Sequence, residues 1–147
     1  MFFLKELPTR QIIQGYADRY PIGNVDTVEK ALLMMRQASL LVRQIETYFS
    51  SHGISQLRFL ILVVIDREVE RDSLLVSEIS DRIDVSRPVM TRTLKNLTSA
   101  GLIEIKADQT DGRAKQVFLT AKGRILLEDI LPGYYAVIDT FMTDVEA

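Results

Sequence analysis

Residues 75–120 read LVSEISDRIDVSRPVMTRTLKNLTSAGLIEIKADQTDGRAKQVFLT, and the order of elements within that stretch decides the fold. Ser77 is placed to cap a helix of about two turns with Ile79 and Ile83 inward, because a serine hydroxyl can accept one of the backbone N–H groups that a first helical turn leaves unpaired. Asp84 and Val85 form the turn that follows. Ser86 caps the next helix, whose first turn tolerates Pro88 because no intrahelical N–H is lost there. Two helices at this spacing predict a helix-turn-helix. On the second, residues 86–101, Met90, Leu94 and Leu97 recur at i, i+4 and i+7 and must face a core, so Arg87, Pro88, Thr91, Arg92 and Lys95 fall on the opposite side. No acidic residue interrupts that side before Gly101, which ends the helix in the left-handed conformation open to glycine.

Residues 102–107 then alternate as a strand, with Ile103 and Ile105 on one face and Glu104 and Lys106 on the other. Gln116 to Leu119 reads as its partner, Val117 and Leu119 sharing a face. Eight residues separate the two, more than the two to five of a tight hairpin. Asp111-Gly112 is ordinary turn chemistry, but a long hydrophilic tip carrying Arg113 and Lys115 exceeds what a connection needs. A functional wing over 102–119 is expected.

Outward from this stretch the chain is helical. Residues 1–25 form an arm with a short helix started by Pro8 and Thr9, apolar at Ile12, Ile13 and Tyr16, and ended by Pro21 and Gly23. Asp26, with Glu29 in the capping-box position, predicts a long helix to about Phe49, apolar at Val28, Leu32, Met35, Val42 and Ile45 and widened by Leu33, Leu40 and Leu41. Ser55 caps a third helix to about Asp72 with Leu57, Leu60, Ile61, Val64 and Ile65 as its core face. Between them His52, beside Gly53 in a connector, reads as a surface or capping residue. Leu74 to Val76 suffice for one short strand. After the wing, Thr120 caps a helix that Pro132-Gly133 should kink or break, and a last helix, residues 134–145, carries Tyr135, Val137, Ile138, Phe141 and Met142. So many apolar side chains imply that it folds back on its own domain or is covered by a second copy.

Composition sets the bounds. The chain has 147 residues, 47% hydrophobic, enough for one ordinary domain with a real core. Phe59 to Ile65 is far shorter than the ~20 apolar residues of a membrane span, and Lys5 and Glu6 interrupt the apolar start, so a cytoplasmic protein without a membrane partner is expected. With no cysteine and one histidine there is no disulfide framework, no thiolate metal site and no thiol sensor, and no cofactor is expected. A nucleophile paired with the single histidine, a glycine-rich phosphate loop and a metal-ligand cluster are all missing, which argues against an enzyme. The net charge of −2 is unevenly spread: residues 86–124 carry eight basic and three acidic side chains, against ten and twelve before them and none and five after. A local basic surface on an acidic chain is the electrostatic footprint of a nucleic-acid binder, although a solvated face can have the same composition.

Gly53-Ile-Ser55, Val85-Ser86 followed by Val89-Met-Thr-Arg92 and Leu94-x-x-Leu97, Ala100-Gly-Leu-Ile103, and above all Asp111-Gly-Arg-Ala-Lys-Gln-Val-Phe-Leu119-Thr120-x-Lys-Gly123 together resemble the MarR/SlyA family of winged-helix regulators. The similarity covers roughly residues 28–130. It implies that the second helix of the motif lies in a DNA major groove, with Ser86, Arg87, Pro88, Thr91, Arg92 and Lys95 toward bases and phosphates. It also implies that Arg113 enters the minor groove beside Lys115, with Asp111 holding its guanidinium; a narrow A·T-rich groove suits such a group. Arg92 could instead make an internal salt bridge that shapes the wing.

The resemblance further implies a homodimer on a near-palindromic site of double-stranded DNA, its recognition helices ~34 Å apart. The sequence departs from the family pattern where another crossing helix would follow. The arm and residues 132–147 are therefore expected to supply dimer contacts, unless the sequence is shortened at its end. Release by a small aromatic or anionic effector is implied too, with Arg36, Arg43, Tyr48 and Phe49 as expected lining by position; the lack of cysteine excludes the peroxide-sensing branch. The expected fold class is mainly α with a small β-wing (α+β), a winged helix-turn-helix domain over residues 26–131 with flanking dimerisation helices. A winged-helix module for protein assembly, without specific DNA binding, is the alternative.

Overall fold

The computed structural model of the chain describes residues 2–146. Met1 and Ala147, the outermost residues of the arm and of the C-terminal segment, lie outside the described residues. The chain divides into two compact units at the step from Ile45 to Glu46.

The first unit holds α1 (Arg10–Arg19) and most of α2 (Val25–Ser51). Thr9 caps α1 as expected, its hydroxyl accepting from the Ile12 N–H at 3.2 Å. The start of α2 differs from expectation. Asn24, not Asp26, is the cap: its Oδ1 accepts from the N–H groups of Asp26 (2.8 Å) and Thr27 (3.2 Å). Asp26 sits in the first turn, where a carboxylate still suits the helix dipole, and it pairs with Arg10, which also approaches Glu29 at 3.8 Å. Glu29 thus faces a cation rather than closing a capping box.

In the second unit α3 (Gln56–Asp66) is capped by Ser55, whose Oγ accepts from Arg58 N–H at 3.2 Å. Its core face is Phe59, Ile61, Leu62, Val64 and Ile65; Leu57 and Leu60, expected inside, are only half-buried. Phe59 stands in an aromatic cluster, 4.6 Å from Phe49 and 4.8 Å from Tyr134 between ring centroids. The helix ends at Asp66 rather than Asp72 because the following charges are used in a folded loop. There Arg71 binds Glu78 through two hydrogen bonds, 3.0 and 2.6 Å, and Arg82 reaches Glu68 at 3.2 Å.

β1 (Ser73–Leu75) leads directly into α4 (Val76–Arg82), the strand one residue and the helix two residues earlier than expected. Ser77 is not the cap. Leu75 occupies that position, and Glu78 accepts its N–H at 3.0 Å, so a carboxylate three residues on satisfies the N–H of the cap residue itself, the N3 half of a capping box. The same two partners, Arg71 first and then the Leu75 N–H, lower the Glu78 pKa from 4.5 to about 2. Because the folded value lies below the unfolded one, this carboxylate contributes stability that is complete above about pH 5 and lost as the pH falls through about 2. Glu78→Ala is expected to lower unfolding free energy by about 1 kcal/mol at neutral pH, the usual worth of a helix cap. Urea midpoints of the two proteins should converge as the pH approaches 2; a difference unchanged with pH would contradict this role.

α5 (Arg87–Ser99), β2 (Ile103–Ala107), β3 (Lys115–Leu119) and α6 (Ala121–Glu146) complete the fold. The sheet is antiparallel throughout in the order β1-β3-β2, so the wing strands are joined by a third. Leu74 stands opposite Val117, which stands opposite Ile105, and Leu74 and Val117 are fully buried. Thr120 caps α6 through the Gly123 N–H at 3.0 Å and donates to the Gly101 carbonyl at 2.6 Å; the Lys122 ammonium donates to the Ala100 carbonyl at 2.8 Å. Gly101 has φ 74°, and the end of α5 is thereby tied to the start of α6.

Of the kink or break expected at Pro132, the break does not occur: α6 is one helix from Ala121 to Glu146. Burial on both sides of the proline, at Leu127 and Ile130 before it and Phe141 after it, outweighs the lost backbone hydrogen bond. Tyr48 packs beside Gly133 so closely that any Cβ there would overlap its ring, and its hydroxyl donates to the Ile130 carbonyl at 2.6 Å.

Candidate nucleic-acid interface

The turn between α4 and α5 is short, closed by a Val85 N–H to Ile83 carbonyl bond of 3.0 Å. Ser86 caps α5, accepting from Val89 N–H at 3.4 Å. That contact uses an acceptor lone pair, leaving the hydroxyl hydrogen free to donate outward. Met90, Leu94 and Leu97 face inward as their spacing requires, and Thr93, which the apolar pattern missed, joins them. Thr93 tolerates burial because its hydroxyl donates to the Val89 carbonyl at 2.7 Å, a bond any helical threonine can make and therefore a weak signal in a sequence.

With one side of α5 seated, Ser86, Arg87, Pro88, Thr91, Arg92 and Lys95 are all exposed on the other. Arg92 makes no ion pair among the described residues, so the internal bridge considered for it is not formed. Ser77, Ser80 and Asp81 of α4 share a shallow cleft of about 490 Å³ with Arg87 and Thr91, adding α4 side chains that the basic pattern of α5 did not point to.

At the wing, residues 108–114 join β2 to β3, with Asp108 N–H donating to the Ala114 carbonyl at 2.9 Å. Arg113 and Lys115 are exposed. Asp111 does not hold the Arg113 guanidinium: its Oδ1 accepts from the Arg113 backbone N–H at 3.0 Å, which orders the turn and leaves the guanidinium fork unengaged. Asp108, which the sequence reading passed over, accepts from the N–H groups of Thr110 (3.2 Å) and Asp111 (3.0 Å) and from the Gln116 amide (2.8 Å). These bonds, Gln116 foremost, lower its pKa.

Some cations elsewhere in this unit are paired: Arg71, Arg82, Lys106 and Arg124 each reach a carboxylate. Arg87, Arg92, Lys95, Arg113 and Lys115, like Arg58, Arg67 and Lys122, form no salt bridge among the described residues, but the first five share the exposed side of α5 and the wing. Five unpaired cations over one helix face and one loop suit a polyanion.

The residues expected around an effector divide. Phe49 is 1% exposed and belongs to the aromatic core, and Tyr48 commits its hydroxyl to Ile130. Arg36 has a buried Nη1 without a hydrogen-bond partner, and Arg43 is engaged by other groups. His52 lies at the end of α2 with Nδ1 2.9 Å from the Tyr48 carbonyl oxygen, a capping position.

A model of the MarR family matches residues 52–114, which contain the helix-turn-helix and the wing as far as Arg113. The chain is 27% identical over 139 residues to the HTH-type transcriptional repressor YetL of Bacillus subtilis, covering 95% of this chain and 83% of that protein. The helix-turn-helix and wing segment is thus similar to the MarR family. Solved MarR structures share its fold: AbsC of Streptomyces coelicolor superimposes with a TM-score of 0.75 at 21% identity, over 83% of this chain and 82% of that one. Sco3205 from the same organism, solved in complex with DNA, gives 0.72 at 18% identity over 81% and 76%. The expected architecture, mainly helical with a small antiparallel wing, is thus a MarR-like winged helix-turn-helix.

Proposed function

We propose that this chain is a MarR-family, sequence-specific DNA-binding transcriptional repressor that acts in the cytoplasm as a homodimer on a near-palindromic duplex. The observation that carries the reading is the set of five unpaired cations on the exposed side of α5 and the wing. Arg87, Pro88, Thr91 and Arg92 meet the major groove, with Ser86 and Lys95 toward phosphates. Arg113 and Lys115 meet the minor groove, and Asp111 shapes the turn beneath them. An assembly module would have no use for an exposed Arg113 and Lys115 that form no ion pair among the described residues.

A second copy accounts for apolar side chains left in water. In the first unit Ile12, Tyr16, Tyr20 and Met34 are exposed, and on α6 Tyr135 (61%), Met142 and Val145 are. The arm and the C-terminal half of α6 are the dimer contacts in this reading, and closure by a two-fold axis would set the ~34 Å separation of recognition helices. Arg36 favours one addition. A small aromatic carboxylate is the ligand chemistry that would satisfy its buried guanidinium nitrogen.

Selection from random duplexes tests the reading directly, and a palindrome is expected. Affinity for it should fall steeply with salt, and Lys95→Ala should weaken all duplexes alike and reduce the salt slope by ~1 per subunit. Light scattering should give the mass of a dimer at micromolar concentration. Indifference of binding to salt and to the Lys95 change would end the DNA reading, and a monomer would end the two-fold one.

A further inference from the structure

The tip of the wing is not held by the hairpin alone. Behind it runs a line of side-chain bonds that starts in the sheet. Ser73 of β1, 8% exposed, donates its hydroxyl to Gln116 Oε1 at 2.9 Å. The other end of the same amide, Gln116 Nε2, donates to Asp108 Oδ1 at 2.8 Å. Asp108 Oδ2 gathers the N–H groups of Thr110 and Asp111, and Asp111 Oδ1 takes the N–H of Arg113. Each polar atom along this line is used in the direction its chemistry allows, Asp108 Oδ2 accepting twice, and the line ends on the backbone of the exposed arginine. Its other end is equally placed. Ser73 lies three residues before Val76, where α4 and the helix-turn-helix begin.

We propose that Ser73, Gln116 and Asp108 are positioning residues that lock the wing turn presenting Arg113 and join its placement to the start of the helix-turn-helix. The inference rests on the DNA reading of the wing given above, and it adds a reason for two residue types that such a reading leaves unexplained. Gln116 is a half-buried amide at a strand position where any polar or β-branched residue would satisfy the sheet, in register with Leu75 on one side and Lys106 on the other. Asp108 is one of two acidic groups in the loop that presents Arg113, a charge that would oppose binding to a polyanion if it did nothing else. Its oxygens are turned toward N–H donors of the loop and the Gln116 amide. A turn fixed before binding loses less conformational entropy when its arginine is seated, and that difference appears as affinity.

The test is a mutant cycle on the full-length protein with the selected duplex. Gln116→Leu keeps the volume and removes both links; with Arg113 present it should weaken binding about tenfold and erode the preference for A·T over G·C at the wing positions. In the Arg113→Ala background the same change should have no further effect. Asp108→Ala should behave like Gln116→Leu. Asp108→Asn should restore most of the affinity, since its oxygen can take the loop N–H groups while Gln116 turns over and Ser73 accepts instead of donating. Hydrogen exchange at the Arg113 amide should quicken in Gln116→Leu and Asp108→Ala and not in Asp108→Asn.

Equal losses with and without Arg113 would mean that the line only stabilises the domain, and the proposal would be wrong while the DNA reading stood. Unchanged binding in Gln116→Leu and Asp108→Ala, with Arg113→Ala still damaging, would have the same meaning. If Arg113→Ala itself changed nothing, the DNA reading of the wing would fail and the proposal with it.

Discussion

Arg113→Ala is expected to weaken binding to the selected duplex by ~1–3 kcal/mol per half-site, which a dimer would feel twice. The side chain is exposed, makes no ion pair among the described residues, and sits on a turn whose backbone Asp111 holds at 3.0 Å. A guanidinium in a narrow minor groove gains from the concentrated negative potential there and is weakly hydrated enough to enter it. Arg113→Lys should therefore recover part of the loss in low salt, through charge alone, without recovering the preference for A·T-rich flanks. Fluorescence anisotropy against duplexes differing only at those flanks would separate the two contributions. Equal affinity of wild type and Arg113→Ala for all of them would remove the wing from the interface.

Gly123→Ala should give the largest loss of folding stability, about 2 kcal/mol or more against a change that ordinarily strengthens a helix by ~1 kcal/mol. A Cβ at this position would overlap the Leu102 carbonyl oxygen, lie 3.2 Å from its carbon and 3.4 Å from the Leu119 side chain. Backbone cannot swing aside as a lysine tip can. Leu102 O already accepts from Thr120 N–H at 3.2 Å, and Ile103 begins β2 in the next residue. Any shift would reach the end of α5 and the base of the wing together, so DNA affinity should fall as well. Gly15→Ala serves as the control, because a Cβ at Gly15 of α1 meets nothing within 4 Å and should be neutral or stabilising. Urea unfolding of the two variants would decide it; a Gly123→Ala protein as stable as wild type would show that α6 can retreat from β2.

Local chemistry was readable wherever one residue acts on its own next few neighbours. Thr9, Ser55, Ser86 and Thr120 each cap the helix that their position predicts, and the three-and-four spacing of Met90, Leu94 and Leu97 set which face of α5 points to water. The expectations that failed have a common form. Asp26 and Ser77 are good caps, but the helices start earlier, at Asn24 and at Leu75, while Asp26 and Glu78 pair with Arg10 and Arg71. Asp111 was assigned to a guanidinium, yet the turn places its oxygen on a backbone N–H two residues away. Phe49 and Tyr48 pack against Phe59, Tyr134 and Gly133, contacts that their position in the chain did not record.

The amino-acid sequence by itself determined most of the elements, the side of α5 that must meet solvent and the resemblance to a known family. Those follow from short-range hydrogen bonding, from helical and strand periodicity, and from a motif dense enough to be specific. Tertiary structure alone decided that β1 joins the wing, that α6 runs unbroken through Pro132, and that Asp108 and Gln116 stand behind Arg113. Each of these depends on partners far apart in the chain, such as Leu74 with Val117 or Ser73 with Gln116. Spacing along a chain records what a residue can do to its neighbours, while burial against distant segments selects which of those possibilities is used.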